Sequence, residues 1–202
     1  MQPNTARIGR PPKADPEALR SRLLSIIERD GYEAVSMGAL AEAVGMSVRT
    51  LHRYFPAKAD IVWGGIETSI EALSEGLRTA DDSEPIIETV SAVVAGVFGR
   101  NVEDVATMRA RLRLIALSPE LRTNRSATFE GWRQAIIDFI ALRRQVPTDS
   151  LVAVAIGAAI HSAIMEALSW WALRGDKSEP ANCVAEALHG LSSVTGATHS
   201  VT

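Results

Sequence analysis

A continuous apolar run near the C-terminus constrains the fold more than any other feature: LVAVAIGAAIHSAIMEALSWWAL, residues 151–173. Its length would suit a membrane span. However, His161, Ser162 and Glu166 interrupt the run, and a charge in mid-bilayer is costly. We therefore expect a buried helix. Because this helix is apolar nearly all round, other helices must cover both of its faces.

The rest of the chain also carries helix signals, and no stretch shows the alternation that is typical of a strand. The first helix has Asp15 as its N-cap, Pro16 in its first turn and Gly31 as its stop. Similar capping and helix-stop residues along the chain predict about nine helices, including a long one over 57–79 and another over 118–140. The predicted fold class is therefore all-α.

Two short helices are predicted between residues 37 and 55, with a tight turn between them. Ser36 caps the first helix and Ser47 caps the second. Gly45 can take the positive φ that a tight turn requires, and Pro56 ends the second helix. Two short helices joined by a glycine-containing turn are the signature of a helix-turn-helix.

The second of these helices has one apolar face and one face rich in hydrogen-bond donors. With Leu51 and Phe55 turned inward, the 3.6-residue period turns the donors outward or sideways. Such a helix fits the DNA major groove, where arginine can grip guanine and threonine can contact a thymine methyl. The helix end and the two serine caps are placed to meet phosphates. The predicted base-facing residues are Arg49, Thr50, His52 and Arg53, and the predicted phosphate contacts are Ser36, Ser47, Tyr54 and Lys58.

The charge distribution agrees with a polyanion that meets the N-terminal part. Residues 1–60 hold nine Lys and Arg against seven Asp and Glu, whereas residues 61–202 hold twelve against seventeen. The alternative is a solvated basic helix without a partner. We favour DNA binding because caps, glycine turn, inward pairs, outward donors and proline stop occur together at fixed spacing.

The stretch GYEAVSMGALAEAVGMSVRTLHRYFPAKADIV, residues 31–62, resembles the DNA-binding head of TetR-type bacterial repressors. One departure is His52, because the family usually has tyrosine or phenylalanine there. An imidazole can still bind phosphate, better when it is protonated. The resemblance implies an N-terminal three-helix DNA-binding domain followed by a helical-bundle domain for ligand binding and dimerisation.

A basic arm, ARIGRPPK, precedes the first helix and contains Arg7, Arg10 and Lys13. Its GRP core resembles the minor-groove element of AT-hook peptides, and homeodomain arms use arginines similarly. A disordered tail is an equal alternative. The predicted organisation is a flexible basic arm at 1–14, the helix-turn-helix domain at 15–60, an effector-binding and dimerisation domain at 61–196 and a disordered tail at 197–202.

The resemblance also implies a homodimer. Family members dimerise through their last two helices as a four-helix bundle, and two-fold symmetry suits a palindromic operator. Small residues on the apolar run would let another helix approach closely. The predicted interface residues are Ala155, Ala158, Ala159, Ser162 and Leu188.

Family bodies hold an effector pocket, and the stretch RARLRLIALSPELR suggests a polar group for it. Its alternating arginines point different ways on a helix, so one can face a cavity and pair with a carboxylate or phosphate; solvated faces are the alternative. With DIVWGGIETSIEALSEGL and GWRQAIIDFIALR, this stretch resembles the branch of the mycofactocin-system regulator, which implies a lipophilic or acyl-CoA-like effector. The predicted pocket residues are Trp63, Phe98, Met108, Arg109, Leu112, Trp132, Ile136, Phe139 and Ile164.

These features together predict a ligand-responsive, homodimeric transcriptional repressor in the cytoplasm, with no catalytic residue, cofactor, metal or membrane contact. A DNA-binding protein without a ligand, an activator and a helical-bundle enzyme are the alternatives. Against an enzyme, His161 and Glu166 lie five residues apart and share a helix face poorly, and no second His/Glu pair completes a metal site. The single cysteine, Cys183, fits a reducing compartment.

Overall fold

The computed structural model describes residues 15–64, 67–99, 104–123, 127–175 and 178–196, which form helices and their connections without a strand. The predicted arm with Arg7, Arg10 and Lys13, and the predicted tail at 197–202, lie outside the described residues. Within these ranges the structure has eleven helices: α1 (Pro16–Asp30), α2 (Met37–Ala43), α3 (Val48–Tyr54), α4 (Lys58–Trp63), α5 (Glu67–Arg78), α6 (Ile86–Gly99), α7 (Val105–Leu117), α8 (Pro119–Thr123), α9 (Ala127–Arg144), α10 (Leu151–Arg174) and α11 (Pro180–Gly196). We call α1–α4 the head and α5–α11 the body.

The all-α prediction is confirmed, but two long predicted helices are each divided, which raises the count from about nine to eleven. The helix expected over 57–79 is divided into α4 and α5. The first part ends at Trp63, because the main chain at Gly64 is extended, with φ −76° and ψ 166°. The helix expected over 118–140 is divided into α8 and α9. Apolar residues recur at helical spacing on both sides of each break, so the periodicity alone does not show it.

The first helix begins and ends where its capping and stop residues predict. The Asp15 carboxylate accepts a hydrogen bond from the Glu17 N–H at 3.0 Å. At the other end Gly31 has a φ of 90°, and its N–H donates to the Ile27 carbonyl at 2.9 Å. These bonds satisfy main-chain groups that a helix end leaves without partners.

Two large hydrophobic clusters organise the described residues. The head cluster joins α1–α4 and takes in Leu114 and Ile115 from α7 and Leu121 from α8. The body cluster is built from α5, α6, α9, α10 and α11. The packing of the head therefore continues into the body through α7 and α8.

The long apolar helix α10 packs against α7, α9 and α11. Gly157 permits the close approach of α9, because a Cβ there would lie 2.6 Å from Ile137 Cγ1. By length and composition α10 could cross a membrane, and 39% of its most apolar 18-residue window is buried inside the protomer. Its outer face is exposed and includes Ala155, Ala159 and Ser162.

Candidate nucleic-acid interface and ligand cavity

The turn between α2 and α3 is closed by main-chain hydrogen bonds. Gly45 has a φ of 70°, in the left-handed region that favours glycine. Its N–H donates to the Glu42 carbonyl at 3.0 Å, and the Met46 N–H donates to the Ala41 carbonyl at 2.8 Å. The turn thereby fixes the angle at which α3 leaves α2.

Both short helices have the predicted serine caps. Ser36 Oγ accepts from the Ala39 N–H at 3.2 Å, and Ser47 Oγ accepts from the Thr50 N–H at 3.1 Å. Ser47 Oγ also lies 2.8 Å from Thr50 Oγ1. Each cap satisfies one N–H of a first helical turn, and both serines remain exposed. The start of α3 is therefore well defined at the surface.

The outer face of α3 carries a polar ridge. Arg49, His52 and Arg53 are exposed, and Thr50 and Tyr54 are half-buried. Arg49 makes no hydrogen bond or ion pair with any residue that the structure describes. The Arg53 guanidinium lies 5.7 Å from the centre of the Tyr54 ring. We use the name "α3 ridge" for these five side chains, which the sequence predicted to face DNA.

One hydrogen bond sets the orientation of the His52 ring. Its Nδ1 lies 2.9 Å from the Pro56 carbonyl oxygen. Because a carbonyl oxygen can only accept, Nδ1 carries a hydrogen, and the neutral ring leaves Nε2 as an acceptor. A contact from Nε2 to phosphate therefore requires the protonated ring, whereas the neutral ring can accept from a base amino group.

Lys58 is held by the head itself. Its Nζ donates to the carbonyls of Tyr32 at 2.5 Å and Val35 at 3.0 Å, and it lies 4.1 Å from the centre of the Tyr32 ring. These contacts fix the segment before α2 to the start of α4. A phosphate contact by Lys58, as predicted, would have to compete with them.

A cavity of about 80 Å³ lies among α4, α5, α6, α7, α9 and α10. On this measure a water molecule needs roughly 10–15 Å³, so the space suits several waters or a small apolar group. Its wall is mainly apolar. The lining residues are Trp63, Ser69, Val97, Phe98, Met108, Arg111, Leu112, Ile115, Phe129, Trp132, His161, Met165 and Leu168.

Only part of the predicted pocket set lines this cavity. Trp63, Phe98, Met108, Leu112 and Trp132 do so. Three other predicted pocket residues do not line it: Ile136, Phe139 and Ile164. They are at most 4% exposed and belong to the body cluster, because they face neighbouring helices.

The three alternating arginines of α7 point in three directions, as their spacing predicts. Arg109, which was assigned to the pocket, lies over the Trp171 ring at 3.9 Å and donates to the Trp171 carbonyl at 3.1 Å. Arg113 is exposed. Arg111 is 3% exposed and lines the cavity. Two residues along a helix turn the side chain by about 200°, so Arg109 and Arg111 cannot share one direction.

Two arginines hold the C-terminal end of α4. Arg111, from the body, donates to the carbonyls of Val62 and, at 2.8 Å, Gly64. Arg20, from α1, donates to the Asp60 carbonyl at 2.6 Å. Because the last turn of a helix leaves carbonyl groups without main-chain partners, donors at this negative end of the helix dipole stabilise α4. The Asp60 carbonyl also accepts the Gly64 N–H at 3.0 Å, so Arg20 adds a second donor to it. The end of α4 is thus tied to the head by Arg20 and to the body by Arg111.

Several polar and aromatic residues of the cavity were not predicted. The Trp132 indole N–H donates to Ser69 Oγ at 2.9 Å, and the Phe129 and His161 rings meet edge to face at 4.3 Å. His161 had a sequence signal, as a polar residue inside an apolar run. Ser69 had none, because its position depends on how α5 packs against α9.

A second connection between head and body lies at the corner of α7 and α8. Ser118 Oγ donates to Glu33 Oε1 at 2.6 Å, and the Tyr32 hydroxyl donates to Glu120 Oε1 at 3.2 Å. Burial, with the Glu120 carboxylate nearby, raises the pKa of Tyr32. The hydroxyl therefore stays protonated and remains a donor.

The predicted interface residues divide into two groups. Ala155, Ala159 and Ser162 are exposed on α10, and Ala158 is half-buried. Leu188 is instead 0% exposed and belongs to the body cluster of its own protomer. Its prediction as an interface residue is corrected, because α11 turns this side chain inward, where a second copy cannot reach it.

Among the described residues, no three or more His, Cys, Asp and Glu side chains are grouped so that they could hold a metal ion. His161 is buried in the cavity wall and Glu166 is exposed. The two side chains therefore lie on different sides of α10.

Comparison with known proteins agrees with this architecture. Residues 84–196 match the family model described as the MftR C-terminal domain, and residues 23–62 match the model described as bacterial regulatory proteins of the tetR family. MftR of Mycobacterium tuberculosis, assigned as a regulator of mycofactocin biosynthesis, is 26% identical over 169 residues, which cover 84% of this chain and 85% of MftR. The HTH-type transcriptional regulator TcmR of Streptomyces glaucescens is 27% identical over 169 residues, which cover 80% of this chain and 75% of TcmR.

A solved structure has the same fold. FadR of Thermus thermophilus, a TetR family transcriptional repressor in complex with lauroyl-CoA, aligns with a TM-score of 0.52 and 18% identity, over 93% of this chain and 96% of FadR. The match to the C-terminal model covers more than half of this chain, and the N-terminal model covers most of the head. The chain therefore belongs to the TetR family of bacterial transcriptional regulators.

Proposed function

We propose that this chain is a ligand-responsive transcriptional repressor of the cytoplasm. It binds a palindromic operator as a homodimer and is released by a small lipophilic or acyl-CoA-like effector. The observation that carries the proposal is the α3 ridge, in which Arg49, His52 and Arg53 are exposed. Leu51, on the opposite face of the helix, is 0% exposed. A capped and hydrogen-bonded turn holds this ridge, so its recognition surface is formed before DNA arrives.

The chemistry of the α3 ridge suits the edges of base pairs. Arg49 can donate two hydrogen bonds to guanine, and the Thr50 methyl can contact thymine. The exposed Ser36 and Ser47 hydroxyls and the N–H groups beside them can hold the phosphates that flank the groove. The ridge would thus supply sequence preference and the helix starts would supply register.

A homodimer would follow from the outer face of α10. Small residues, Ala155 and Ala159, occupy the middle of this face, and large exposed apolar residues, Leu151 and Trp170, lie near its two ends. Ser162 and Glu166 are also exposed on α10 and divide these apolar residues. Exposed apolar patches rimmed by polar residues are typical of interaction sites. A second copy would bury it about a two-fold axis and present two α3 ridges to successive major grooves.

The cavity supports an effector with an apolar part. Its wall is mostly aromatic and aliphatic, and it includes Met108 and Met165. Because methionine side chains repack easily, the space of about 80 Å³ can enlarge around an acyl chain. FadR of Thermus thermophilus was crystallised with lauroyl-CoA, which makes acyl-CoA a suitable first class of ligand to test.

The experiment combines an operator with candidate effectors. Duplexes from beside the coding region are screened by fluorescence anisotropy at physiological salt, and the tightest is titrated with octanoyl-CoA, lauroyl-CoA and, as the control, CoA alone. We expect an acyl-CoA to lower operator affinity and CoA to leave it unchanged. If neither thioester changes operator affinity, the proposed effector class is contradicted. If the chain prefers no duplex, the proposal that it is a repressor is contradicted.

A further inference from the structure

We propose that Arg111 recognises the acidic group of the effector, and that the acid releases α4 by taking the guanidinium that now holds it. This inference rests on the proposed function and specifies the chemistry of its effector. The ligand would be an amphiphile with a carboxylate or phosphate attached to an apolar chain. Arg111 would both bind the ligand and couple ligand binding to the release of α4.

Arg111 connects the cavity with the end of α4. It lines the cavity, is 3% exposed, and donates to the main-chain carbonyls of Val62 and Gly64. Arginine keeps its charge in proteins, and a carboxylate or phosphate forms stronger and often bidentate hydrogen bonds with it than neutral oxygens do. An anion that enters the cavity is therefore a better partner for this guanidinium than the carbonyls of α4.

A second donor in the same wall supports the same ligand class. Trp63, the last residue of α4, lines the cavity and is 6% exposed. Its buried indole N–H has no hydrogen-bond partner among the residues that the structure describes. A buried donor without a partner is costly, so an acceptor oxygen from a ligand would relieve that cost. The ligand would then contact α4 directly through Trp63 and indirectly through Arg111.

The loss of Arg111 would change how α4 is held. Arg20 would still tie the Asp60 carbonyl to α1, because this bond comes from the head and lies outside the cavity wall. The Val62 and Gly64 carbonyls would lose their partner in the body. The end of α4 would keep its hydrogen bond to the head and lose those to the body. Its position relative to the body would then change, and with it the spacing of the two heads of a dimer on DNA.

Selectivity for an acid follows from this arrangement. A ligand shifts an equilibrium between two conformations only by its difference in affinity for them. A neutral ester of the same length could occupy the apolar cavity in both conformations but could not displace the carbonyls from Arg111. We therefore expect an acid, and not its ester, to couple to operator binding.

The first test uses the wild-type chain with octanoate, methyl octanoate and octanoyl-CoA. Calorimetry gives each dissociation constant, and anisotropy gives operator affinity with and without each ligand. We expect an acidic ligand to bind about tenfold more tightly than the ester and to lower operator affinity on the order of tenfold. Octanoate and octanoyl-CoA separate a carboxylate from CoA phosphates as the source of the anion. Equal effects of acid and ester, or no binding of either acid, would overturn the inference.

The second test removes the guanidinium. Arg111→Met keeps an apolar, flexible side chain in the wall, and Arg113→Met makes the same change at an exposed position of α7. In Arg111→Met, the end of α4 has already lost its hydrogen bonds to the body. We therefore expect its operator affinity to match that of wild type with the acid, to ignore further acid, and to show no preference for acid over ester. Arg113→Met should behave as wild type.

The outcomes separate this inference from the proposed function. An Arg111→Met variant that still prefers the acid and still responds to it would overturn the inference and leave a ligand-responsive repressor intact. Wild type that binds no operator would contradict the proposed function instead. Circular dichroism checks whether Arg111→Met is folded. If it is not, Arg111→Lys replaces it, because lysine keeps the charge but loses the bidentate fork. The wild-type comparison of acid with ester then tests the role of Arg111 together with this variant.

Discussion

We expect base recognition to depend most on Arg49, because this residue is exposed and has no hydrogen bond or ion pair among the described residues. We expect Arg49→Ala to weaken operator binding by about 1–3 kcal/mol and to relax preference at one base pair, because a bidentate contact is lost. Anisotropy with operator variants measures both effects. Arg78→Ala, which removes an exposed arginine paired with Glu75 on α5, is the control. Unchanged binding by Arg49→Ala would remove it from the recognition surface.

Single residues also show which contacts a sequence can predict. The caps at Asp15, Ser36 and Ser47 were predictable because each side chain bonds a main-chain N–H two or three residues away. The partners of Lys58 lie 23 and 26 residues away, and those of Arg111 lie 47 and 49 residues away. Such contacts depend on the packing of separate helices, which local patterns do not specify.

At the scale of helices, the contact between α9 and α10 depends on Gly157. A Cβ at this position would lie 2.6 Å from Ile137 Cγ1 and 3.0 Å from Ile137 Cα. We expect Gly157→Ala to lower the free energy of unfolding by about 1–2 kcal/mol, because overpacking outweighs the gain in helix propensity. Urea denaturation measures the change. Gly99→Ala, where a Cβ would meet no atom within 4 Å, is the control, and an equal effect of both substitutions would contradict the close-contact explanation.

The helices themselves were largely predictable, but their breaks were not. Caps and apolar spacing correctly predicted α1, α2, α3 and α10. At Gly64 the glycine is only a local sign of a possible break. The chain turns there because Arg20 and Arg111, from two other helices, take the carbonyls at the end of α4. The division of the predicted long helix is therefore a consequence of tertiary contacts.

For the whole molecule, the outer face of α10 decides the proposed assembly. We expect Ala159→Glu to convert the dimer to monomers, because a charge would be buried where two helices meet. Sedimentation velocity measures the mass, and circular dichroism checks the fold. Leu142→Glu, at a 62% exposed position of α9, is the control and should leave the dimer intact. A dimer that persists in Ala159→Glu would place the interface elsewhere.

The cavity depends on how the helices of the whole molecule pack together. Its wall comes from six helices, so aromatic spacing could suggest members such as Trp63 and Trp132 but could not assemble them. Ile136 and Phe139 have the same apolar character and lie in the core instead. The choice between core and cavity depends on small offsets in helix packing. The choice between Arg109 and Arg111 likewise depends on the register of α7.

Footprinting of the wild-type protein on a palindromic duplex from beside its own coding region tests whether two α3 ridges bind one operator. If the α3 ridge enters the major groove in a dimer, two segments centred about one helical turn, or a whole number of turns, apart will be protected. Protection should persist at physiological salt and disappear when the half-sites are scrambled. A chain that protects no segment of any such fragment, even at low salt, or that protects all sequences equally, would contradict operator recognition by the α3 ridge.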